Sequence, residues 1–211
     1  MSHASFIRPA TQTLIDHADE LTALDQAIGD GDHGLNMKRG ALAIQGKLPE
    51  LESKSLNDAL KTVGMTCIST IGGSSGPVFG TLLVTLAKEL PLAPGPADLA
   101  RALASGMAAV TRLGKAQVGQ KTLLDVLDPV RRLLEASSAL PRDDLLASVH
   151  RCALDAAQGT AQMDAIKGRA SFLGERALGH VDPGSHSMAL IIGAVCDSLR
   201  GHAMTSRKNP R

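Results

Sequence analysis

Apolar residues recur every three or four positions along most of this chain, which gathers them on one face of an α-helix. Leu14, Ala18, Leu21, Leu24 and Ile28 form the first such stripe. The same spacing predicts helices over 34–46, 56–71, 76–90, 96–113, 119–137, 142–160 and 184–200. Proline and glycine fall between these stretches, at Pro49, Gly72-Gly73, Pro91, Pro94 to Pro96, Pro141 and Pro183-Gly184. There the helix loses a backbone donor or its conformational restraint. Few runs alternate with period two, so strands are not required. The expected fold is all-α: eight helices in an antiparallel bundle or barrel, forming a single domain over 1–211, with no fixed-period repeat.

One stretch departs from the helical pattern. Residues 161–183 combine Gly168, Gly174 and Gly179 with charges of both signs and two short apolar clusters, Ser171-Phe172-Leu173 and Ala177-Leu178. A connection this long in a compact domain is either functional or disordered. The apolar clusters point to a partly ordered lid. The first ten residues and a polar tail at 202–211 are expected to be disordered ends.

Composition narrows the class. An apolar share of 44% over 211 residues supports one well-buried core. The 22 basic and 21 acidic side chains nearly cancel, so the basic surplus of a nucleic-acid binder is missing. Three Phe, with no Tyr or Trp, leave little surface for base stacking, and a bound purine would lie on aliphatic side chains. No apolar run approaches the roughly 20 residues of a membrane span. The N-terminus lacks the apolar core of a signal peptide. The expectation is a soluble cytoplasmic protein with no nucleic-acid or membrane partner. Cys67, Cys152 and Cys196 form no Cys-x-x-Cys pair and are expected to be buried, inert thiols.

The strongest local signal is LDQAIGDGDHGLN at 24–36. Asp25 sits near the end of the first helix, Gly29 and Gly31 break it, and Asp30 and Asp32 follow two apart. Three carboxylates at one turn repel one another unless a cation sits among them. Oxygen ligands without cysteine select Mg²⁺ or Ca²⁺ over zinc, and the EF-hand pattern fails for want of its bidentate Glu. An Asp-rich helix cap is the plainer alternative. His33, at a helix start, could be a metal ligand, a phosphate donor or a satisfied core histidine.

Two further segments carry candidate chemistry. Ile71-Gly72-Gly73-Ser74-Ser75-Gly76-Pro77 precedes an apolar helix and could expose N–H groups to a phosphate. It is no Walker A loop, because Gly-Lys-Ser/Thr does not follow, and taken alone it reads as an ordinary capped turn. Lys167-Gly168-Arg169 and Gly179-His180-Val181-Asp182-Pro183-Gly184 flank the lid. There Arg169 offers a planar donor fork to phosphate, or else simply faces solvent. Gly114-Lys115-Ala116 and Lys121-Thr122-Leu123 read as helix-end and turn chemistry.

In this order, LDQAIGDGDHGLNMKRG, VGMTCISTIGGSSGPVFGTLL, GKAQVGQKTLLDVLDPV and AIKGRASFLGERALGHVDPGSHS resemble the nucleotide-binding domain of dihydroxyacetone kinases, the L subunit (DAK2-type) family. They span residues 24–187. The resemblance implies an eight-helix barrel with ADP or ATP at one end. It also implies two Mg²⁺ ions held by Asp25, Asp30 and Asp32. Position by position it assigns His33, Gly34, Leu35, Asn36, Ser74 and Ser75 to the phosphates and Gly114 and Leu123 to base and sugar. Arg169, Asp182, Pro183 and Gly184 fall to the lid, with Arg169 neutralising phosphate charge. It implies a phosphotransferase subunit whose short-chain ketose is held on a separate sugar-binding (DhaK-like) subunit. Bound ADP would be rephosphorylated by a phosphohistidine (DhaM-like) protein. The alternatives are an ATP-dependent kinase subunit for dihydroxyacetone, erythrulose or a related sugar, a nucleotide-loaded regulatory module, and a metal-dependent hydrolase. A homodimer is compatible with each.

Overall fold

The computed structural model describes residues 3–137 and 139–207, with side chains to residue 201. It is helical throughout, with no strand among the described residues. The elements are α1 (Ala4–Asp16), α2 (Ala18–Ile28), α3 (His33–Gln45), α4 (Leu48–Glu52), α5 (Leu56–Thr70), α6 (Ser75–Glu89), α7 (Pro96–Gly114), α8 (Leu124–Ala136), α9 (Arg142–Gly159) and α10 (Pro183–Arg207).

Eight of these close a ring. Each of α5, α6, α7, α8, α9 and α10 packs on the next, α10 packs on α1, α1 on α3, and α3 on α5. The expected eight-helix barrel is therefore present, with α2 and the short α4 outside the ring. Interior positions such as Leu21, Leu51, Leu124 and Val126 are almost fully removed from water. Gly64 and Gly80 let α5 and α6 approach until a Cβ on Gly80 would sit 2.6 Å from the Gly64 carbonyl oxygen. Ser55 starts α5 by accepting the Asp58 N–H at 3.1 Å. Pro96 opens α7 while Asp98 accepts the Gly95 N–H at 3.0 Å.

The first stave differs from expectation. Residues expected to be disordered form α1, whose Ala4, Ile7, Ala10 and Leu14 are buried. The apolar stripe continues N-terminally past Leu14, and its burial carries the helix through Pro9. The expected 14–28 helix is divided at His17, where φ is −100° and ψ 15°, and its second half becomes α2. The 119–137 helix begins only at Leu124, because Gly119 and Lys121 have φ of 88° and 60°. Cys67 and Cys196 are buried as expected, whereas Cys152 is only half-buried at the edge of the core on α9. At the C-terminal end α10 runs to Arg207, and residues 208–211 of the expected tail lie outside the described residues. No helix among the described residues is long and apolar enough to cross a membrane.

The 161–183 stretch is ordered as expected of a lid. It contains 3₁₀ turns at Thr160–Gln162 and Arg169–Ala177, the latter kinked at Gly174. Its underside forms a small separate core, in which Ala165 and Ala177 pack with Ile28 at the end of α2.

Candidate functional site

The loop between α2 and α3 builds an acidic corner. Asp25, 7% exposed, lies one turn before the end of α2. Its Oδ2 accepts the backbone N–H of Asp32 at 2.9 Å and of His33 at 3.1 Å. The first donors of α3, which no intrahelical carbonyl can satisfy, are thus met from across the loop. Gly31, with φ 75°, makes the reversal that brings Asp30 and Asp32 back over Asp25. One carboxylate oxygen from each of Asp25, Asp30 and Asp32 lies within 4.8 Å of the other two. At that separation three negative charges repel strongly. Arg169 of the lid answers them in part, donating from Nη1 to Asp30 Oδ2 at 2.7 Å. An all-carboxylate donor set gathered around one point, one member buried and two open to the cleft, fits a hard divalent ion such as Mg²⁺.

His33 ties three staves together. Its Nε2 lies 2.9 Å from Ser187 Oγ on α10 and its Nδ1 3.1 Å from Ser75 Oγ on α6. Ser187 spends its hydroxyl proton on the Pro183 carbonyl at 2.9 Å, so it accepts from Nε2–H, and Ser75 donates to Nδ1. Burial holds the His33 pKa below the ordinary imidazole value against the pull of Asp25 and Asp32. Of the three roles open to it from sequence, the geometry supports the satisfied core histidine, because both ring nitrogens are engaged.

These groups face a cleft of about 260 Å³ at one end of the barrel. Ser74 and Ser75 at the start of α6 form a second wall, where the helix N-terminus favours anions. Gly114, Leu123, Val78 and Phe79 give an apolar wall, and Arg169, Asp182, Pro183 and Gly184 close the top. Three residues assigned to the phosphates do not line it. Leu35 points outward at 58% exposed. Asn36 is buried beneath Gly72 and accepts from Arg39 at 3.0 Å. Gly34 faces α2, where a Cβ would lie 1.9 Å from the Ala18 carbonyl oxygen. A wider hollow of about 660 Å³ between α8 and α9, lined by Pro129, Leu133 and Cys152 together with Asp125, Arg151 and Asp155, lies away from the acidic corner and from Arg169.

Sequence reasoning read Lys121 only as turn chemistry and passed over Asp125. Lys121 lines the cleft yet is 2% exposed, and Asp125 is 4% exposed. The hint was available in KTLLD: a lysine and an aspartate four apart in an otherwise apolar run need partners if buried.

A model of the DAK2 domain matches residues 27–197. A Listeria innocua protein described as PEP-dependent dihydroxyacetone kinase 1, ADP-binding subunit DhaL, is 42% identical over 176 residues, covering 83% of this chain and 84% of that protein. An Escherichia coli protein described as PEP-dependent dihydroxyacetone kinase, ADP-binding subunit DhaL, is 41% identical, covering 83% of this chain and 85% of that protein. The crystal structure of the dihydroxyacetone kinase from C. freundii in complex with AMP-PNP and Mg²⁺ superposes with a TM-score of 0.74 at 26% identity, covering 92% of this chain. This chain spans 33% of that kinase's length. A family match across most of the acidic corner, cleft and lid, with relatives above 40% identical along 83% of the chain, makes this protein a member of the DAK2 domain family.

Proposed function

We propose that this protein is the nucleotide- and magnesium-binding subunit of a dihydroxyacetone-type kinase. The observation that carries the reading is the meeting, around one cleft, of three carboxylate oxygens within 4.8 Å, the Ser74-Ser75 helix start and a lid bearing Arg169. Asp25, Asp30 and Asp32 would hold two Mg²⁺ ions, which when bound offset charge on the nucleotide phosphates and the group in transfer. Ser74 and Ser75 position the phosphates at the α6 N-terminus. Val78, Phe79 and Leu123 present an apolar face to the base. Arg169 can exchange Asp30 for a phosphate oxygen, bringing its charge to the transferring group.

The acceptor is a short-chain ketose held by a partner subunit. Exposed Leu113, Val118, Ile166 and Phe172 lie within two residues of cleft-lining positions in the chain and offer that partner an apolar rim. The donor we favour is a phosphohistidine protein that recharges bound ADP. Support comes from relatives of similar length described as PEP-dependent and ADP-binding. The cytoplasm is where such a subunit would meet its donor. A second reading, exchange with free ATP, draws on a 32% identical relative from Mycolicibacterium smegmatis described as L-erythrulose 1-kinase.

The test begins with mass analysis of nucleotide released from purified protein. Transfer to dihydroxyacetone is then followed with the sugar-binding subunit, with and without the phosphohistidine donor. Co-purifying ADP and donor-dependent transfer are expected. Ready exchange with added ATP would sink the bound-ADP mode, and nucleotide retention with no flux in either arm would favour a regulatory module. Phosphate release without an acceptor would indicate a hydrolase, a reading disfavoured by the full engagement of His33.

A further inference from the structure

Lys121 is the most deeply buried cation among the described residues, and its backbone lies in the left-handed region at φ 60°. Asp125 imposes that conformation. Its Oδ2 accepts the Thr122 N–H at 2.7 Å and its Oδ1 accepts the Gly119 N–H, folding 119–122 into a tight turn at the foot of α8. The side chain then runs beneath the lid. Nζ donates to the carbonyl oxygens of Thr160 at 2.7 Å, His180 at 2.7 Å and Met163 at 3.3 Å.

Those three carbonyls belong to the two ends of the lid. Thr160 and Met163 lead into it from α9, and His180 leads out of it towards α10. Two further bonds stitch the same ends: Gly179 N–H to the Ala161 carbonyl at 2.8 Å, and Asp182 N–H to Thr160 Oγ1 at 3.0 Å. A lysine in a nucleotide cleft would ordinarily be read as a phosphate ligand. An ammonium has three N–H donors, and here each has a backbone acceptor, so none is left for a phosphate. We propose that Lys121 is a positioning residue that clasps the neck of the lid, and that this clasp, built by Asp125, sets how long a bound nucleotide stays.

The clasp itself stands on the geometry of the neck, whereas its link to nucleotide residence rests on the function proposed above. Substituting Lys121→Met keeps the length and removes the ammonium; Lys121→Gln is a milder version that retains an amide donor. Amide hydrogen exchange on nucleotide-free protein reads the neck directly. Losing a charge-assisted clasp should speed exchange across 163–182 about tenfold or more, while the amides of α5 and α6 keep wild-type rates. Dissociation of a fluorescent ADP analogue, with Mg²⁺ at saturation, should accelerate by a comparable factor. Partner-dependent turnover at saturating nucleotide should change little, so the effect falls on KM rather than kcat. Lys121→Gln should sit between the wild type and Lys121→Met, and it carries the test if the latter does not fold. Unchanged lid exchange in either variant overturns the clasp, as does equal loosening of every helix. A loosened lid with unchanged nucleotide release overturns its control of residence. If the wild type binds no nucleotide, the exchange experiment still decides the clasp while the function reading fails alone.

Discussion

Gly34 is the sharpest place to perturb the acidic corner without touching a carboxylate. A Cβ added there would lie 1.9 Å from the Ala18 carbonyl oxygen, 2.3 Å from Thr22 Oγ1 and 2.7 Å from the Thr22 nitrogen. Two of these atoms are α2 backbone, and the third is a hydroxyl already bonded to the Ala18 carbonyl at 2.8 Å. No rotamer change can relieve the clash. Reaching ordinary contact near 3.4 Å requires α2 to retreat by about 1.5 Å. Overpacking of this kind costs about 1–3 kcal/mol, and alanine returns somewhat under ~1 kcal/mol through helix propensity. A net loss of up to about 2 kcal/mol lowers Tm by up to roughly 8 °C in a chain of this size. The retreat also carries Asp25 away from the Asp32 and His33 N–H groups it holds at 2.9 and 3.1 Å. Gly34→Ala should therefore melt early and also lose affinity for Mg²⁺-ADP about tenfold or more, the scale of one charge-assisted hydrogen bond. Gly46→Ala is the control, since its αR conformation and a nearest neighbour, the Ala43 carbonyl oxygen, at 3.5 Å accommodate a methyl; it should gain roughly 0.4–1 kcal/mol. Thermal melts with and without Mg²⁺-ADP, followed by titration calorimetry, make the comparison. A Gly34→Ala protein that melts and binds like the wild type refutes the close contact of α2 and α3 as the frame of the corner.

Asp25 and Asp30 should separate stability from binding: Asp25→Ala strands the buried His33 N–H as well as the part-buried Asp32 N–H and costs about 1–3 kcal/mol in urea unfolding. Asp30→Ala, which loses only an exposed ion pair worth about 0–1 kcal/mol, should leave unfolding nearly unchanged, yet both variants should fail to retain nucleotide. Burial pushes the Asp182 carboxyl up to about 6, with Asp125 adding to it and Ser185 and Lys121 opposing. Because the folded value exceeds the unfolded one, its contribution is fully present below about pH 4 and is lost as pH rises through about 6. Urea midpoints of nucleotide-free protein should show that decline, and Asp182→Asn, which can still accept from Ser185, should flatten it. Chelation of divalent ions should release bound nucleotide without unfolding the barrel, as read by ultrafiltration beside circular dichroism.

The barrel was legible because its staves carry unbroken apolar stripes, and the boundaries at 56, 96 and 142 coincide with capping or proline signals that act locally. The acidic corner was legible for a similar reason: all three carboxylates lie within eight residues of chain. What escaped depends on contacts between distant segments. His33 keeps three roles open in the sequence until Ser75 and Ser187 are brought to its two nitrogens. Gly34, Leu35 and Asn36 sit in the matching motif, but the helical period turns each to a different neighbour, and only the fold decides which faces the cleft. Lys121 looked like a turn residue and Asp125 like part of a longer helix; the reach of Lys121 across to 160–180 has no trace in spacing.

The lid's small core has a thermal consequence. Ile28, Ala165 and Ala177 pack apart from the continuous core of the ring. A unit with so little buried area opens at a lower free energy than the structure beneath it. On warming, the cap should detach while the ring remains intact, giving an interval in which the chain is folded but its contents escape. A tightly held ligand would close that interval by binding only the capped form. The temperature at which activity fails would then follow nucleotide concentration rather than the melting point of the helices.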